Sequence, residues 1–300
     1  MRNVTITVRP MSAHTGAEIF GIDLRQSLSD QTYLEIRAAL NQWGAIFFRD
    51  LDITPEQQLA FARRFGTVEA DRYESNLPNV GGHPEIKEIV RKPEDPRNVG
   101  GFWHMDLSFL PRPNYASLLY AKKLPTHGGD TMFAHLSAAY DALSVGLRAT
   151  LETLSTVHIK SHAYGIGGQP QPGVSAEHFA KMLQKFAGVE ATHPVVARHG
   201  GSGRKVLYLS PIYSDRFAGW TREESLPLMQ YLASVMTRPE HTCRFRWEEG
   251  SMAMWDNRAV LHYALDDYPG QYRSMHRITI DGPWLEALST SCRLRDSVDI

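Results

Sequence analysis

Residues 255–280 read WDNRAVLHYALDDYPGQYRSMHRITI. With the preceding Met252–Met254 they contain two compact apolar segments, Met252–Trp255 and Met275–Ile280, that have strand length and fall short of helix length. Similar segments recur at Tyr115–Ala121, Val195–Arg198, Val206–Leu209 and Thr242–Trp247. Helical periodicity appears at Leu136–Leu154, Ala176–Phe186 and Glu223–Met236, and the first part adds an amphipathic helix at Asp30–Trp43 and a helix opened by Thr54-Pro55-Glu56. Ala45–Phe48, bounded by Gly44 and Arg49-Asp50, has the form of a buried strand. Short strands with helices around them predict a mainly β chain, an antiparallel sandwich decorated by helices, over a parallel βαβ array.

Composition narrows the function classes. Of the 300 residues, 42% are hydrophobic and 22% charged, as in a globular protein with a sizeable core, and the formal net charge is −1. A near-neutral chain without a basic stripe is not expected to bind nucleic acid, and any anion specificity must be local. No apolar run reaches membrane-span length and the first residues lack a signal-peptide core, so a cytoplasmic protein without membrane attachment is expected. The only cysteines, Cys243 and Cys292, are too few for a disulfide framework or a structural zinc site.

The chemistry-bearing residues cluster in three motifs. In Phe102-Trp-His104-Met-Asp106-Leu-Ser-Phe109, a histidine and an aspartate stand two apart, so on an extended strand both project to one side and can share a metal. His262 supplies a third ligand. Two imidazoles and one carboxylate on a triangular face, with the opposite positions open, suit Fe(II) oxygen chemistry. Twenty-four residues separate Asp106 from Thr131 in Gly128-Gly-Asp-Thr131, and ten separate His262 from Arg273. A 2-oxoglutarate bound to the metal through its C1 carboxylate and ketone needs a cation and a hydroxyl donor for its far C5 carboxylate, and Arg273 with Thr131 provides them.

With these motifs, and with GAEIFGIDL near the start, FARRFG around Phe65, AAYDALS at Ala138, HPVV at His193 and TRPEHTCRFRW before the last motif, the chain resembles the taurine dioxygenase and 2,4-dichlorophenoxyacetate dioxygenase (TauD/TfdA-like) family over nearly its whole length. The resemblance implies a double-stranded β-helix, the jelly-roll, cupin-like barrel, as a single domain over residues 1–300. It implies iron ligands His104, Asp106 and His262, oxoglutarate residues Thr131 and Arg273, and a substrate-gripping arginine at Arg277. Positions 273, 275 and 277 share one face of a strand, so both guanidinium groups can enter one cavity. The implied reaction is hydroxylation of a C–H bond of a small anionic substrate, an aryloxyalkanoate, sulfonate or other carboxylic acid, with release of succinate and CO2 and consumption of O2. Cleavage can follow. A homo-oligomer, dimer or tetramer, is implied as well.

The substrate end is less completely matched. Taurine-specific members place a histidine about where this chain has Asp71, and an asparagine where it has Gly100, so taurine is not carried over. Tyr73 and the backbone N–H of Leu107 are further candidates for substrate contact. Two Gly/Pro-rich stretches, about 71–101 and 162–178, are expected to be lid-like, the first interrupted by the strand-like Ile86–Arg91. His158 and His162 are expected at the surface or in a lid. Trp103, Trp255 and Phe102 are expected to pack around the metal. A cupin-like isomerase or hydrolase with the same three ligands is the competing class, and it leaves Thr131 and Arg273 unexplained.

Overall fold

In the computed structural model, residues 5–70, 77–96, 98, 100–160 and 176–288 are described. Seventeen strands and six α-helices occur among them. One eight-stranded sheet dominates, running β1 (Thr7–Pro10), β2 (Ala17–Phe20), β3 (Ala45–Phe48), β14 (Met252–Asp256), β6 (Ala116–Lys123), β16 (Arg273–Ile280), β5 (His83–Arg91) and β4 (Asn79–Val80). All its pairings are antiparallel except β2 with β3. A three-stranded sheet, β13 (Thr242–Phe245), β7 (Thr131–His135) and β15 (Val260–Ala264), shares a core with it.

Alternation along the central strands explains why the sequence there is apolar at nearly every position. Leu118, Tyr120, Met252, Met254, Ile278 and Ile280 point to one face and pack with helices α1 (Asp30–Trp43) and α2 (Pro55–Ala62). Leu119, Ala121, Ala253, Trp255 and Met275 point to the other and meet Phe133, Phe245 and Val260 of the smaller sheet. A strand covered on both faces buries both of its side-chain sets, hence the near-continuous apolar runs. Phe47 stacks on Phe245 with ring centroids 4.1 Å apart. Burying each such ring contributes about 2–3 kcal/mol.

Two three-stranded sheets complete the frame: β12 (Ser214–Phe217), β8 (Ser155–Ile159) and β9 (Glu190–Pro194), then β11 (Lys205–Leu207), β10 (Val196–Arg198) and β17 (Glu286–Ala287). They share a core with α3 (Leu136–Asp141), α4 (Val145–Leu151) and α6 (Arg222–Met236). The remaining helix is α5 (Ala176–Lys185).

Local signals set the helix ends. Ser29 accepts from Thr32 N–H to start α1, and Gly44, at φ 70°, ends it. A Cβ at Gly44 would lie 2.4 Å from Val260 Cγ1, so packing and backbone both demand glycine. Thr54 with Gln57, and Thr221 with Glu224, form capping boxes that open α2 and α6. The single helix expected over Leu136–Leu154 is two helices, because Ser144 caps the second by accepting from Leu147 N–H.

Within the stretch 71–101, the strand expected at Ile86–Arg91 forms and begins earlier, at His83. Residues His83–Arg91 form β5, paired along β16 from Arg273↔Arg91 to Ile278↔Ile86, so the glycines and the other prolines flank a strand of the main sheet that has Pro84 at its start. Positions 71–76, with Tyr73, and 161–175, with His162, lie outside the described residues, as does Cys292; 176–178 open α5. Among the described residues, no helix is long and apolar enough to cross a membrane.

Candidate metal centre

His104 and His262 are held opposite one another by a two-residue β-bridge, with backbone hydrogen bonds of 3.0 Å from His104 N–H and 2.8 Å from His262 N–H. The strand expected through residues 102–109 does not form. His104 sits in that isolated bridge, and Asp106 begins a turn in which buried Leu107 adopts φ 54°. A left-handed leucine is strained, and the turn is held from outside. His158 Nδ1 lies 3.0 Å from Ser108 Oγ, while His193 Nε2 donates to the carbonyls of Ser108 (2.8 Å) and Leu110 (3.1 Å). His158 is therefore fully buried, contrary to the surface position expected for it.

The three side chains converge. Asp106 Oδ1 lies 3.7 Å from Nε2 of His104 and 3.7 Å from Nε2 of His262, and all three ligand atoms lie within 4.8 Å of one another. Donors about 2.1 Å from a common ion stand roughly 3–3.6 Å apart, so this spacing fits a small divalent cation with little movement. His104 Nδ1 donates to Phe102 O at 2.8 Å, which leaves the Nε2 lone pair directed at the cluster. Burial, followed by the neighbouring His104 ring, keeps the His262 pKa well below its ordinary value, so the ring is neutral and ready to ligate.

Asp106 is oriented by neighbours that the sequence reading did not single out. Ser117 Oγ accepts from the side-chain amides of Asn257 (3.0 Å) and Asn114 (3.2 Å), so its proton goes to Asp106 Oδ2 at 2.7 Å. Asn257 Oδ1 in turn accepts from Asp106 N–H (3.3 Å) and Trp255 Nε1 (2.9 Å). Arg277 Nη2 lies 3.1 Å from the same Oδ2. With that oxygen engaged, Oδ1 alone faces the histidines, an arrangement for one-oxygen coordination. Burial would raise the Asp106 pKa, but the Arg277 charge first, with the two nearby histidines and the Ser117 hydrogen bond, outweighs it and holds the carboxyl far below its usual range. The only hint in the sequence is that Asn257 lies inside the same motif as His262.

Beside the ligands is a cavity of about 60 Å³, lined among others by Gly100, Thr131, Trp255, Arg273 and Arg277. Thr131 reaches it because Gly128 and Gly129 turn the chain with φ above +70°, and the Gly129 N–H is fixed on Asp267 Oδ1 at 2.7 Å. Trp247 Nε1 donates to Thr131 Oγ1 at 3.0 Å, so the threonine proton remains available to an acceptor in the cavity. Arg273 is almost fully buried, and its Nε and Nη2 have no hydrogen-bond partner among the described residues. The structure thus brings Arg273, Arg277 and Thr131 to one cavity with the three ligands. Leu107 is buried in a neighbouring cluster with Phe109 and Tyr213. His276 points to the opposite sheet face, toward Gln58.

Two buried histidines outside the ligand set, His135 and His158, make an acid-sensitivity prediction. Burial, then the His193 charge, places His158 well below 6.5; burial, then Arg204, places His135 at about 3. Folded values below the unfolded one mean that the unfolded chain takes up protons first, so this stability is complete above about pH 6.5 and is lost as pH falls. Between pH 6.5 and 5, metal-free protein is expected to lose about 2 kcal/mol from His135 in urea unfolding, with a further loss in the same direction from His158. A flat profile over that window would show that these rings are not held neutral.

Comparison with known proteins agrees with this geometry. The family model described as "Taurine catabolism dioxygenase TauD, TfdA family" matches residues 7–279. An alkylsulfatase of Acinetobacter baylyi is 33% identical over 280 residues, covering 92% of this chain and 85% of its own. An alpha-ketoglutarate-dependent sulfate ester dioxygenase of Pseudomonas putida is 33% identical, covering 92% and 90% respectively. The crystal structure of a taurine dioxygenase from Burkholderia xenovorans superposes with a TM-score of 0.75 at 35% identity, covering 94% of this chain and 91% of that one.

Proposed function

The chain belongs to the TauD/TfdA family of dioxygenases, and from that premise we propose that it hydroxylates a C–H bond of a small organic anion at the His104–Asp106–His262 centre. It is a 2-oxoglutarate-dependent dioxygenase that uses Fe(II) and O2. When bound, iron and oxoglutarate supply the oxidation: O2 is consumed, oxoglutarate leaves as succinate and CO2, and C–H becomes C–OH. His104, Asp106 and His262 would hold the metal, and the protein's remaining task is to seat both organic molecules. The observation that carries the assignment is Arg273, a buried guanidinium aimed into the ligand cavity beside a threonine hydroxyl whose proton is available. That pair matches a carboxylate, and a cupin-like isomerase or hydrolase gives it no use.

Charge supports an anionic substrate. Counting Fe(II), the oxoglutarate dianion, Asp106, Arg277 and Arg273 together leaves one surplus positive charge at the cavity. A second anion removes the surplus; a neutral or cationic substrate does not. Alkyl sulfates, sulfonates and aryloxyalkanoates are the classes to test, with collapse to an aldehyde wherever the new hydroxyl lands on a carbon bearing oxygen or sulfonate. We further propose that residues 1–300 form one catalytic unit on a double-stranded β-helix, the jelly roll. The two facing, mainly antiparallel sheets support this reading, as do ligands drawn from both halves of the chain.

Anaerobic addition of oxoglutarate to the Fe(II)-loaded protein is expected to produce a weak visible charge-transfer band, absent in His104→Ala. Iron binding without that band would reject the oxoglutarate assignment.

A further inference from the structure

The ladder between β5 and β16 places two pairs of cations directly across from each other: Arg91 opposite Arg273 and Lys87 opposite Arg277. All four side chains are buried and lie on the face of Ile89, which lines the cavity. Like charges in register across a sheet destabilise it, so each pair must be compensated. In the first pair, Arg91 is bound to Asp266, and Arg273 is turned to the cavity. The second pair repeats the pattern. Arg277 faces the Asp106 carboxylate, while Lys87 Nζ donates to the side-chain carbonyl of Asn79 at 2.8 Å and has no carboxylate partner among the described residues. In each pair, one cation is matched by a protein carboxylate and the other has none among the described residues.

We propose that Lys87 binds the anionic head of the substrate together with Arg277, and that this head is a sulfo group, carried by a sulfate ester or a sulfonate. The proposal rests on the dioxygenase assignment and specifies its substrate class. A carboxylate has two oxygens, which one guanidinium fork satisfies. A sulfo group has a third, pointing away from the fork, and a compact ammonium on the facing strand is suited to meet it. Asn79 uses only one of the three ammonium donors and leaves the others for the ligand.

Calorimetric titration of hexyl sulfate, hexanesulfonate and 2,4-dichlorophenoxyacetate into anaerobic protein loaded with Fe(II) and oxoglutarate tests this. Lys87→Met is expected to weaken at least one of the two sulfo probes by about 10- to 100-fold, the value of a charge-assisted hydrogen bond. Lys87→Arg should restore most of it, and the carboxylate should change by less than about fivefold. Which sulfo probe binds tells a sulfate ester from a sulfonate. The charge-transfer band of the oxoglutarate complex should persist in both variants. Unchanged sulfo binding in Lys87→Met overturns the proposal, as does a parallel loss of the band, which would make Lys87 structural. Failure of the unsubstituted protein to bind either sulfo probe while forming the band also overturns it. Absence of the band in the unsubstituted protein would reject the dioxygenase reading instead.

Discussion

Asp106→Ala is expected to lose the metal and, in addition, about 3 kcal/mol of stability in metal-free protein, whereas His262→Gln loses the metal with little change in stability. The asymmetry follows from what each side chain touches when no ion is bound. Asp106 is the carboxylate facing Arg277 Nη2 at 3.1 Å and the acceptor of the Ser117 hydroxyl at 2.7 Å, in a pocket where both partners are nearly dry. Removing one member of a buried ion pair costs more than the pair's net value, since the other charge stays desolvated. His262 is neutral in the metal-free state, and its Nδ1 has no hydrogen-bond partner among the described residues, so glutamine replaces mainly volume. Turnover should fall in both by more than the roughly 100-fold cost of losing a supporting partner.

Urea unfolding of the chelator-treated proteins separates the two variants, and equal stability would mean that Asp106 and Arg277 are not coupled. The pH profile adds a second check. Because the folded Asp106 pKa is depressed, its contribution is present above about pH 4 and disappears as pH falls further, so Asp106→Ala should flatten the acid limb.

The ligand set was legible in the sequence because its chemistry restricts residue type and its spacing is local to three motifs. His104, Asp106, His262, Thr131, Arg273 and Arg277 are all brought to the same cavity. The reason first given for His104 and Asp106, a shared strand face, does not apply. A β-bridge fixes one and a strained turn at Leu107 fixes the other, and neither leaves a periodic signal. Contacts that depend on long-range pairing were hidden for the same reason. Ser117 reaches Asp106 because β6 lies beside β14 and β16, and His158 is buried because β8 pairs with β9 and β12. The β5 strand was recognised in part, as Ile86–Arg91, but its partner was not, and its cations matter only once β16 is placed opposite. Periodicity marks which residues face a core; register decides which ones meet.

Arg273→Leu should reverse the stability pattern of Asp106→Ala, raising the oxoglutarate requirement by roughly 10²–10³-fold while leaving ligand-free protein as stable as before or more so. Burial pushes the Arg273 pKa below its ordinary value, which reports the cost of holding a cation there. Neighbouring acids offset that cost only in part, since Asp266 binds Arg91 and Asp130 binds Arg244 at 2.6 Å. Arg91 stands directly across the ladder and adds repulsion. The shorter apolar leucine removes both penalties, so the apoprotein gains where the complex loses. Thr131→Val should cost oxoglutarate affinity far less, about threefold to tenfold, because one neutral hydrogen bond is lost. Thermal unfolding with and without oxoglutarate reads both effects: saturation near a hundred times Kd stabilises the unsubstituted protein by about 2.7 kcal/mol, and Arg273→Leu should show almost none of that gain at the same concentration. If instead Arg273→Leu weakened the apoprotein and kept the oxoglutarate shift, the guanidinium would be a structural strut, and the cosubstrate's far carboxylate would have to be sought on another cation.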